Sequence, residues 1–476
     1  MITNNSNFKL DKALNYFKKG DFHKALSNFE ILKKNHNDFL LHWYLGHTYF
    51  KLHKYSAAIK SVKKSIQLKS KDTLNLNFLG EIYSTIGKYD LAIKTFNETL
   101  SLDKNNKVAL LNLAKINLNI GKIKESENFY KSVLENDPEN LNYIYFLSRI
   151  NNNYPSQEIL NLLDKGNLSL IDTIYLKLIL AKKFEIKKDY KNEIENLLEA
   201  HQIYLSNKKK ALNEQFKLHI KLLPRLMSQL GNLNINSFKD LKPIFITGLP
   251  RSGTSLVEKI IVSGEKSIQS LGESDVFDKV FFSNQIIKNQ ENVLKSDFSF
   301  LIEKILNQYK EQGLNNLNDI FTDKSITSFL YYELISKIFP NAKFIYCARN
   351  PLANIIGIFR SFLPNVYWSH SLEKIFLMSE LYSNKIENLK KNKLNNIFIV
   401  NLEDLTNNSI SVSKNLYKFL DLKWSEKCLE NENKNLIIKT ASNLQVRNKI
   451  KKHDLGYIKS YSKFLKELGF KNKLLV

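Results

Sequence analysis

The stretch PIFITGLPRSGTS, residues 243–255, decides the fold of the second half of the chain. Its first five residues are a short apolar run of β-branched and aromatic side chains, which predicts a strand. Residues 248–255 then bring two glycines and three hydroxyl side chains, and the following LVEKIIVSG predicts a helix. Because backbone N–H groups in such a loop and at a helix N-terminus bind anions, we predict a phosphate-binding loop here.

This loop differs from the nucleoside-triphosphate loop, GxxxxGK[ST]. Gly248 and Gly253 have the required spacing, but Thr254 occupies the lysine position and the cation, Arg251, lies earlier. A kinase or an ATPase needs that lysine on the β- and γ-phosphates, and usually Mg²⁺. The sequence therefore favours a phosphorylated ligand whose transferred group is not a Mg-bound γ-phosphoryl.

The N-terminal part of the chain is repetitive. Four similar turns begin at residues 20, 53, 87 and 121, with spacings of 33, 34 and 34 residues. Two series of small residues keep the same step: Ala25, Ala58, Ala92 and Ser126, and Gly46, Gly80, Ala114 and Ser148. Such a pattern is typical of helix pairs that approach closely and stack on their neighbours. A degenerate further unit is expected around residues 181–200, where Asp189-Tyr190 resembles the turn.

Composition narrows the classes of protein. With 43% hydrophobic and 25% charged residues among 476, the chain is globular and not wholly disordered. Lys and Arg outnumber Asp and Glu by 71 to 47, and the net charge of +24 favours anionic partners, although AT-rich coding gives the same excess. The distant Cys347 and Cys428 argue against a disulfide framework or a cysteine zinc site. Without a signal-peptide pattern or a long apolar run, we expect a cytoplasmic protein with no membrane span.

Together the repeats and the loop resemble a known family. PRSGTS after a strand is similar to the 5′-phosphosulfate loop of sulfotransferases that use 3′-phosphoadenosine 5′-phosphosulfate (PAPS), and most of the chain resembles the bacterial tetratricopeptide-repeat sulfotransferases. The domain after the repeats is more distantly similar to tyrosylprotein sulfotransferases. The resemblance implies an α-helical tetratricopeptide solenoid followed by an α/β, P-loop-like sulfotransferase domain with a mainly parallel central sheet. The expected domains are repeats over 5–205, a helical connector over 206–242 and the sulfotransferase domain over 243–476.

The resemblance implies a catalytic set of three residues. Glu273, in the sequence LGES, is the expected base, because sulfuryl transfer needs the acceptor hydroxyl deprotonated as it attacks sulfur. Lys324, in FTDK, and Arg251 are expected to stabilise the negative charge on the departing phosphate. The motifs imply no metal.

The same resemblance implies the PAPS-binding residues. Arg349, which follows a second apolar run, is expected to grip the 3′-phosphate. The family's second 3′-phosphate ligand, a serine eight positions later, is Gly357 here, and Arg360 or Ser361 is the expected substitute. The run KTASNLQVR, residues 439–447, resembles a C-terminal signature that orders itself over the cofactor. The expected cofactor-binding residues are therefore Arg251, Ser252, Gly253, Thr254, Ser255, Arg349, Arg360, Ser361, Ser442 and Arg447, and Gln445 and Arg447 are expected to order the segment over the cofactor.

The run IFIVNLEDL, residues 397–405, is expected to be a strand ending in Glu403-Asp404-Leu405, with a structural role. It resembles a late strand of the same family.

Three functions remain open. The first is sulfuryl transfer from PAPS to a hydroxyl of a sugar, a peptide tyrosine or a small alcohol, with a protein partner in the groove of the repeats. The second is an impaired, sulfotransferase-like protein that acts as a repeat scaffold, because Ala353, Gly357 and Tyr457 replace the residues usual in the family. The third, a nucleic-acid or polyanion binder, ranks last, since no RNA-reading motif interleaves aromatic and basic residues; we expect no nucleic-acid partner.

Overall fold

The structure is a computed structural model that describes residues 4–155, 168–230, 238–283, 298–314, 320–392, 395–430, 438, 440, 442–452 and 455–470. A helical array precedes an α/β domain, as expected. The array consists of α1 (Asn4–Lys18), α2 (Phe22–Lys33), α3 (Phe39–Lys51), α4 (Tyr55–Leu68), α5 (Thr73–Thr85), α6 (Tyr89–Leu102), α7 (Lys107–Ile120), α8 (Ile123–Asn136), α9 (Leu141–Ile150), α10 (Leu170–Ile186), α11 (Tyr190–Lys217) and α12 (Leu223–Leu230).

Five turns of the array share one backbone conformation. A left-handed residue lies in each, namely Gly20, His53, Gly87, Gly121 and Lys188, with φ of 76°, 57°, 78°, 88° and 59°. In each turn the next N–H donates to the carbonyl five residues earlier, at 2.8–2.9 Å. This bond satisfies a carbonyl that the helix end would leave without a partner. The predicted fifth unit is confirmed, with its turn at Lys188.

The small residues allow the expected close approach of paired helices. A Cβ added to Gly46 would lie 2.5 Å from a methyl carbon of Val62, and one added to Gly80 would lie 2.7 Å from the ring of Phe96. Both distances are far inside van der Waals contact. The second small-residue series therefore marks the places where the two helices of a pair meet.

The α/β domain is built on a five-stranded sheet. Its strands are β1 (Ile244–Thr247), β2 (Gln269–Ser270), β3 (Phe321–Asp323), β4 (Lys343–Ala348) and β5 (Ile397–Asn401). The order is β2-β3-β1-β4-β5, and every neighbouring pair is parallel. Because all carboxyl ends lie at one edge, the loops that follow β1, β2, β3 and β4 meet there.

Helices cover both faces of this sheet. They are α13 (Thr254–Gly264), α14 (Val276–Ser283), α15 (Phe298–Glu311), α16 (Tyr332–Ile338), α17 (Pro351–Ser361), α18 (Leu372–Lys391), α19 (Leu402–Asn407), α20 (Ser409–Phe419), α21 (Asn443–Val446) and α22 (Tyr457–Glu467). Within the described ranges, no helix is long and apolar enough to cross a bilayer.

The hydrophobic core is shared between the array and the domain. One buried cluster joins Tyr130 and Leu178 of the array to Phe245 and Phe344 on one face of the sheet. The alternate strand residues point to the opposite face and form a second cluster, which includes Ile246, Ile345, Cys347, Val400 and Cys428. Two further clusters lie inside the array, within α1–α7.

One expected boundary is corrected by the structure. The run expected as a strand over 397–405 ends its strand at Asn401, whose side chain accepts bonds from the N–H groups of Glu403 and Asp404 at 2.9 and 3.3 Å. This N-cap starts α19, so Glu403-Asp404-Leu405 is helical. The repeat boundary expected at residue 205 falls inside α11, which continues through a π-helical segment (Leu218–Leu222) into α12. Residues 231–237 of the expected connector lie outside the described residues.

Candidate functional site

The two glycines of the phosphate loop are required by its backbone path. Gly248 has φ +145°, and an added Cβ would lie 2.6 Å from the carbonyl oxygen of Cys347. Gly253 has φ +101°, and an added Cβ would lie 2.8 Å from Leu402. The Asn354 amide, on α17, donates to the Pro250 carbonyl at 2.7 Å. The loop is therefore held between β4, α17 and α19.

Two guanidinium groups meet at this loop. The Arg349 Nη1 donates to the Arg251 carbonyl at 2.9 Å. Burial, and then the charge of Arg349, lower the pKa of Arg251 to about 10. The Nε atoms of both arginines and the Ser252 hydroxyl are buried and have no hydrogen-bond partner among the described residues. Adjacent cations with unused donors fit an anionic group.

A C-terminal segment, the described part of residues 438–452, lies over the loop; we call it the strap. The Arg251 guanidinium donates to the Ser442 hydroxyl and to the Gln445 side-chain oxygen. The Ser255 and Thr440 hydroxyls bond to each other at 2.9 Å. The strap therefore reaches the loop through the side chain at its centre, Arg251.

A buried carboxylate fixes the loops after β2 and β3. Asp323 is fully buried and accepts from the Ser325 N–H at 2.9 Å and the Tyr309 hydroxyl at 2.7 Å. The Ser274 hydroxyl donates at 2.5 Å to the Asp323 Oδ2, the same oxygen that accepts from Tyr309. Because Ser274 and Ser325 are the next residues after Glu273 and Lys324, Asp323 sets where those two side chains start.

Glu273 and Lys324 form an ion pair at the mouth of the site. The Lys324 Nζ lies 3.4 Å from the Glu273 Oε1 and 3.6 Å from the Glu258 Oε2. The lysine side chain is 3% exposed, whereas that of Glu273 is 37% exposed. Burial lowers the pKa of Lys324, but the carboxylates of Glu273 and Glu258 outweigh it, and the pKa is raised. Lys324 therefore stays protonated, and Glu273 faces an opening.

Two cavities flank the contact between Arg251 and the strap. The Glu273 cavity, of about 210 Å³, is lined by Glu273, Lys324, Arg251, Thr254 and Ser255, and by the segment 363–366. The Arg349 cavity, of about 270 Å³, is lined by Arg349, Leu402, Gly253 and the basic end of the strap, Lys449, Lys451 and Lys452. Arg251, Ser255 and Ser442 line both. A ligand spanning the two cavities would pass over the phosphate loop.

Most of the residues singled out in the sequence lie together here, but Arg360 and Ser361 do not. Arg360 makes two bonds to the Glu193 carboxylate of α11, at 2.6 and 2.9 Å, and lies 5.0 and 5.1 Å from the rings of Tyr457 and Tyr461. The Ser361 hydroxyl donates to its own helix, at the Gly357 carbonyl. Both side chains thus have partners away from the phosphate loop, and their role as the second 3′-phosphate ligand stays a prediction.

Arg447 contacts the repeat array. Its Nη2 donates to the Asn119 carbonyl, at the end of α7 in the array, at 2.5 Å. It lines neither of the two cavities. This position fits the ordering of the strap and not direct contact with a cofactor.

Three contributors were not among the predicted site residues. Glu258 of α13 is a second carboxylate on Lys324, and it also accepts from the Ser270 and Thr322 hydroxyls at 2.9 Å. Asn354 anchors the phosphate loop, and Thr440 bonds to Ser255. A glutamate or an asparagine within a helix is ordinary, so only the fold reveals these contacts. Among the described residues, no three His, Cys, Asp or Glu side chains gather as they would around a metal ion.

Comparison with known proteins supports the division of the chain into a repeat array and a sulfotransferase-like domain. The sequence model of the sulfotransferase family matches residues 243–426, and models of the tetratricopeptide repeat match residues 42–72 and 87–150. An uncharacterized protein of Aquifex aeolicus (strain VF5) is 25% identical in an alignment of 312 positions, which covers 60% of this chain and 40% of that protein.

Several solved structures match part of the chain. The crystal structure of MamA is 21% identical, with a TM-score of 0.28, and covers 37% of this chain and 96% of its own. A tetratricopeptide repeat protein from Parabacteroides merdae ATCC 43184 is 16% identical, with a TM-score of 0.34, and covers 43% of this chain and 88% of its own. From the family models, the chain joins tetratricopeptide repeats to a domain of the sulfotransferase family.

Proposed function

We propose that the protein transfers a sulfuryl group from PAPS to an acceptor hydroxyl. One observation carries the proposal: Glu273, Lys324 and the phosphate loop line a single cavity, with the Glu273 Oε1 3.4 Å from the Lys324 Nζ. A carboxylate facing an opening, a buried cation and an anion-binding loop are the groups that such a transfer needs.

The residues around the loop fit PAPS. The unused Nε donors of Arg251 and Arg349 and the Ser252 hydroxyl are available to phosphate oxygens. Arg251, Ser252, Gly253, Thr254 and Ser255 would hold the 5′ end. Arg349 would hold the 3′-phosphate, with the lysines of the strap lining the same cavity. When bound, PAPS supplies the sulfuryl group and leaves as 3′-phosphoadenosine 5′-phosphate (PAP).

The roles of the side chains follow from their charge and exposure. Glu273 accepts the proton of the acceptor hydroxyl, because its carboxylate is the one that opens to the cavity. Lys324 keeps its proton and stabilises negative charge on the phosphate side. Glu258, bonded to the Ser270 and Thr322 hydroxyls, holds the lysine in place when Glu273 is engaged with the acceptor.

The acceptor and the partner of the repeats are the less defined parts of the proposal. A sugar hydroxyl, a peptide tyrosine and a small alcohol all suit a carboxylate base. Repeat arrays bind extended protein segments, so the groove of the array is the proposed place for a protein partner or a protein acceptor.

The test has a binding arm and a transfer arm. In a thermal-shift titration, PAP at 100 times its Kd should add about 2.7 kcal/mol of stability, while Mg-ATP and AMP should add less. With labelled PAPS and a panel of phenols, sugars and tyrosine peptides, Glu273→Gln should keep the PAP shift and lose transfer by about 100-fold or more. Glu265→Gln, a carboxylate at the far end of α13, is the control and should change neither. Transfer unaffected in Glu273→Gln would refute the assignment of the base.

The residues on the 3′-phosphate side of the site favour a second candidate function, that of an impaired sulfotransferase-like protein that acts through its repeats. Gly357 offers no side chain there, and Arg360 is held by Glu193, so Arg349 is the remaining predicted ligand of that phosphate. An impaired protein that works through its repeats would follow if PAP produced no shift with the wild-type chain.

A further inference from the structure

The strap is attached to the repeat array at one turn. The Ile438 N–H donates to the Asn119 carbonyl at 3.0 Å, and the Arg447 Nη2 donates to the same oxygen. The Asn443 amide donates to the Leu118 carbonyl at 3.2 Å. Helix α7 ends at Ile120, so these carbonyls belong to its last turn. Carbonyls at a helix C-terminus lack partners within the helix and attract cations, which explains why an arginine and an amide dock here.

The turn also shapes the surface on which Arg447 lies. Gly121 has φ +88°, and an added Cβ would lie 2.6 Å from the Arg447 Nη1 and 2.8 Å from its Cζ. The matching turn of the first repeat, at Gly20, has φ +76° and no atom within 4 Å of an added Cβ. The two glycines have the same backbone role, but the strap packs against the turn at Gly121 and not against the turn at Gly20.

The opposite side of the strap holds the phosphate loop. Asn443 and Arg447, four residues apart across α21, face the turn, whereas Ser442 and Gln445 hold Arg251. On that same side, the Val446 carbonyl accepts from the Lys259 Nζ of α13 at 3.1 Å. The short helix α21 is thus clamped between a repeat turn and the loop.

We infer that the repeat turn Leu118–Gly121 is a positioning element of the nucleotide site, acting through the strap on Arg251. It rests on the proposed function, in that PAP is the ligand. Because the strap is held on both sides, a ligand bound at the loop stabilises the turn. A change that displaces the turn therefore weakens the binding of that ligand. Thermodynamic linkage requires the two coupling free energies to be equal. The array is then part of the nucleotide site as well as a surface for partners.

The test compares Gly121→Ala with Gly20→Ala in the full chain. Both substitutions place a Cβ on a residue with left-handed backbone, so each should destabilise the repeat that contains it. In calorimetric titrations with PAP, Gly121→Ala should raise Kd about fivefold or more, and Gly20→Ala less than twofold. Equal Kd values for the two variants would overturn the inference.

A second variant and a second readout cover the remaining outcomes. Asn443→Ala removes the donor to the Leu118 carbonyl and leaves the repeat backbone unchanged. It should also raise the Kd for PAP. An unchanged Kd would count against the inference even if Gly121→Ala failed to fold. If the wild-type chain does not bind PAP, the proposed function fails. Hydrogen exchange of the strap without ligand then decides: faster exchange in Gly121→Ala than in Gly20→Ala supports the inference, and equal rates overturn it.

Discussion

The front and the rear of the repeat array share a sequence period but not an environment. In the front, α1–α6, buried side chains such as Phe29 and Phe96 form clusters that stay within the array. In the rear, α8–α11, Tyr130, Leu147 and Leu178 belong to the cluster that also covers one face of the sheet. One pattern of small and aromatic residues thus builds an extension at one end and part of the domain core at the other.

Polar contacts repeat this contrast. The front meets the domain at an exposed contact, where the Ser56 N–H and hydroxyl donate to the Glu311 carboxylate at 2.8 and 3.1 Å. The rear meets it through the Arg360–Glu193 pair and through His201 and His370, whose Nδ1 atoms lie 3.0 Å apart. Because stacked repeats contact only their neighbours, the front can open while the rear stays closed.

The largest effect is expected from breaking the buried pair of the rear. Arg360→Met leaves the Glu193 carboxylate, whose side chain is 1% exposed, buried without its cation. Removing one partner of such a pair costs about 3–5 kcal/mol. Urea unfolding should show this loss. Lys24→Met, which removes the exposed partner of Asp21 in the front, is the control and should leave the midpoint unchanged. Similar losses in both variants would contradict the distinction between front and rear.

An intermediate effect is expected from pH. Burial lowers the pKa of His201 to about 3 and that of His370 to about 4, from 6.5. The unfolded chain therefore binds more protons than the folded one between about pH 4 and 6.5, and stability present above pH 6.5 is lost as the pH falls. Each histidine contributes up to about 1.4 kcal/mol per pH unit. His201→Phe should flatten the pH dependence of urea unfolding by that amount.

The matching front substitution sharpens the pH comparison. Burial also lowers the pKa of His47, which stacks on Phe78 with ring centroids 3.5 Å apart, to about 4. His47→Phe should flatten the pH dependence of hydrogen exchange in α3–α6 and leave the global transition as it is. A change of the global transition in His47→Phe would show that the front and the rear unfold together.

The smallest effect is expected at the turns without glycine. Lys188 and His53 hold φ of 59° and 57°, which costs a residue with a Cβ about 1–2 kcal/mol, partly offset by the greater chain entropy of glycine. Lys188→Gly should stabilise the global transition by up to about 1 kcal/mol, and His53→Gly only the front. Lys187→Gly is the control: its φ is −76°, so it should destabilise. An increase in stability from Lys187→Gly would contradict the explanation that backbone strain at Lys188 and His53 destabilises their turns.

The sequence predicted features with a local or periodic signature. The apolar run before Gly248 and the glycine spacing predicted the strand, loop and helix, and the 34-residue step predicted the repeats, including the unit whose turn has Lys188 in place of glycine. The ion pair of Arg360 with Glu193 was not predicted, because the two residues are 167 positions apart and nothing near either residue marks the pair. The end of β5 was missed because a single asparagine cap, Asn401, turned an apolar run into a helix.

The two buried thiols give the chain a reporter of its own. Cys347 and Cys428 are the chain's two cysteines, both 2% exposed or less, and both lie in the cluster on the sheet face away from the repeats. Burial raises the pKa of each thiol, so the reactive thiolate is scarce while that layer is closed. The rate of labelling by a thiol reagent therefore measures the opening of this layer alone. Without any introduced probe, chemical labelling can time the loosening of the far side of the sheet against the melting of the array.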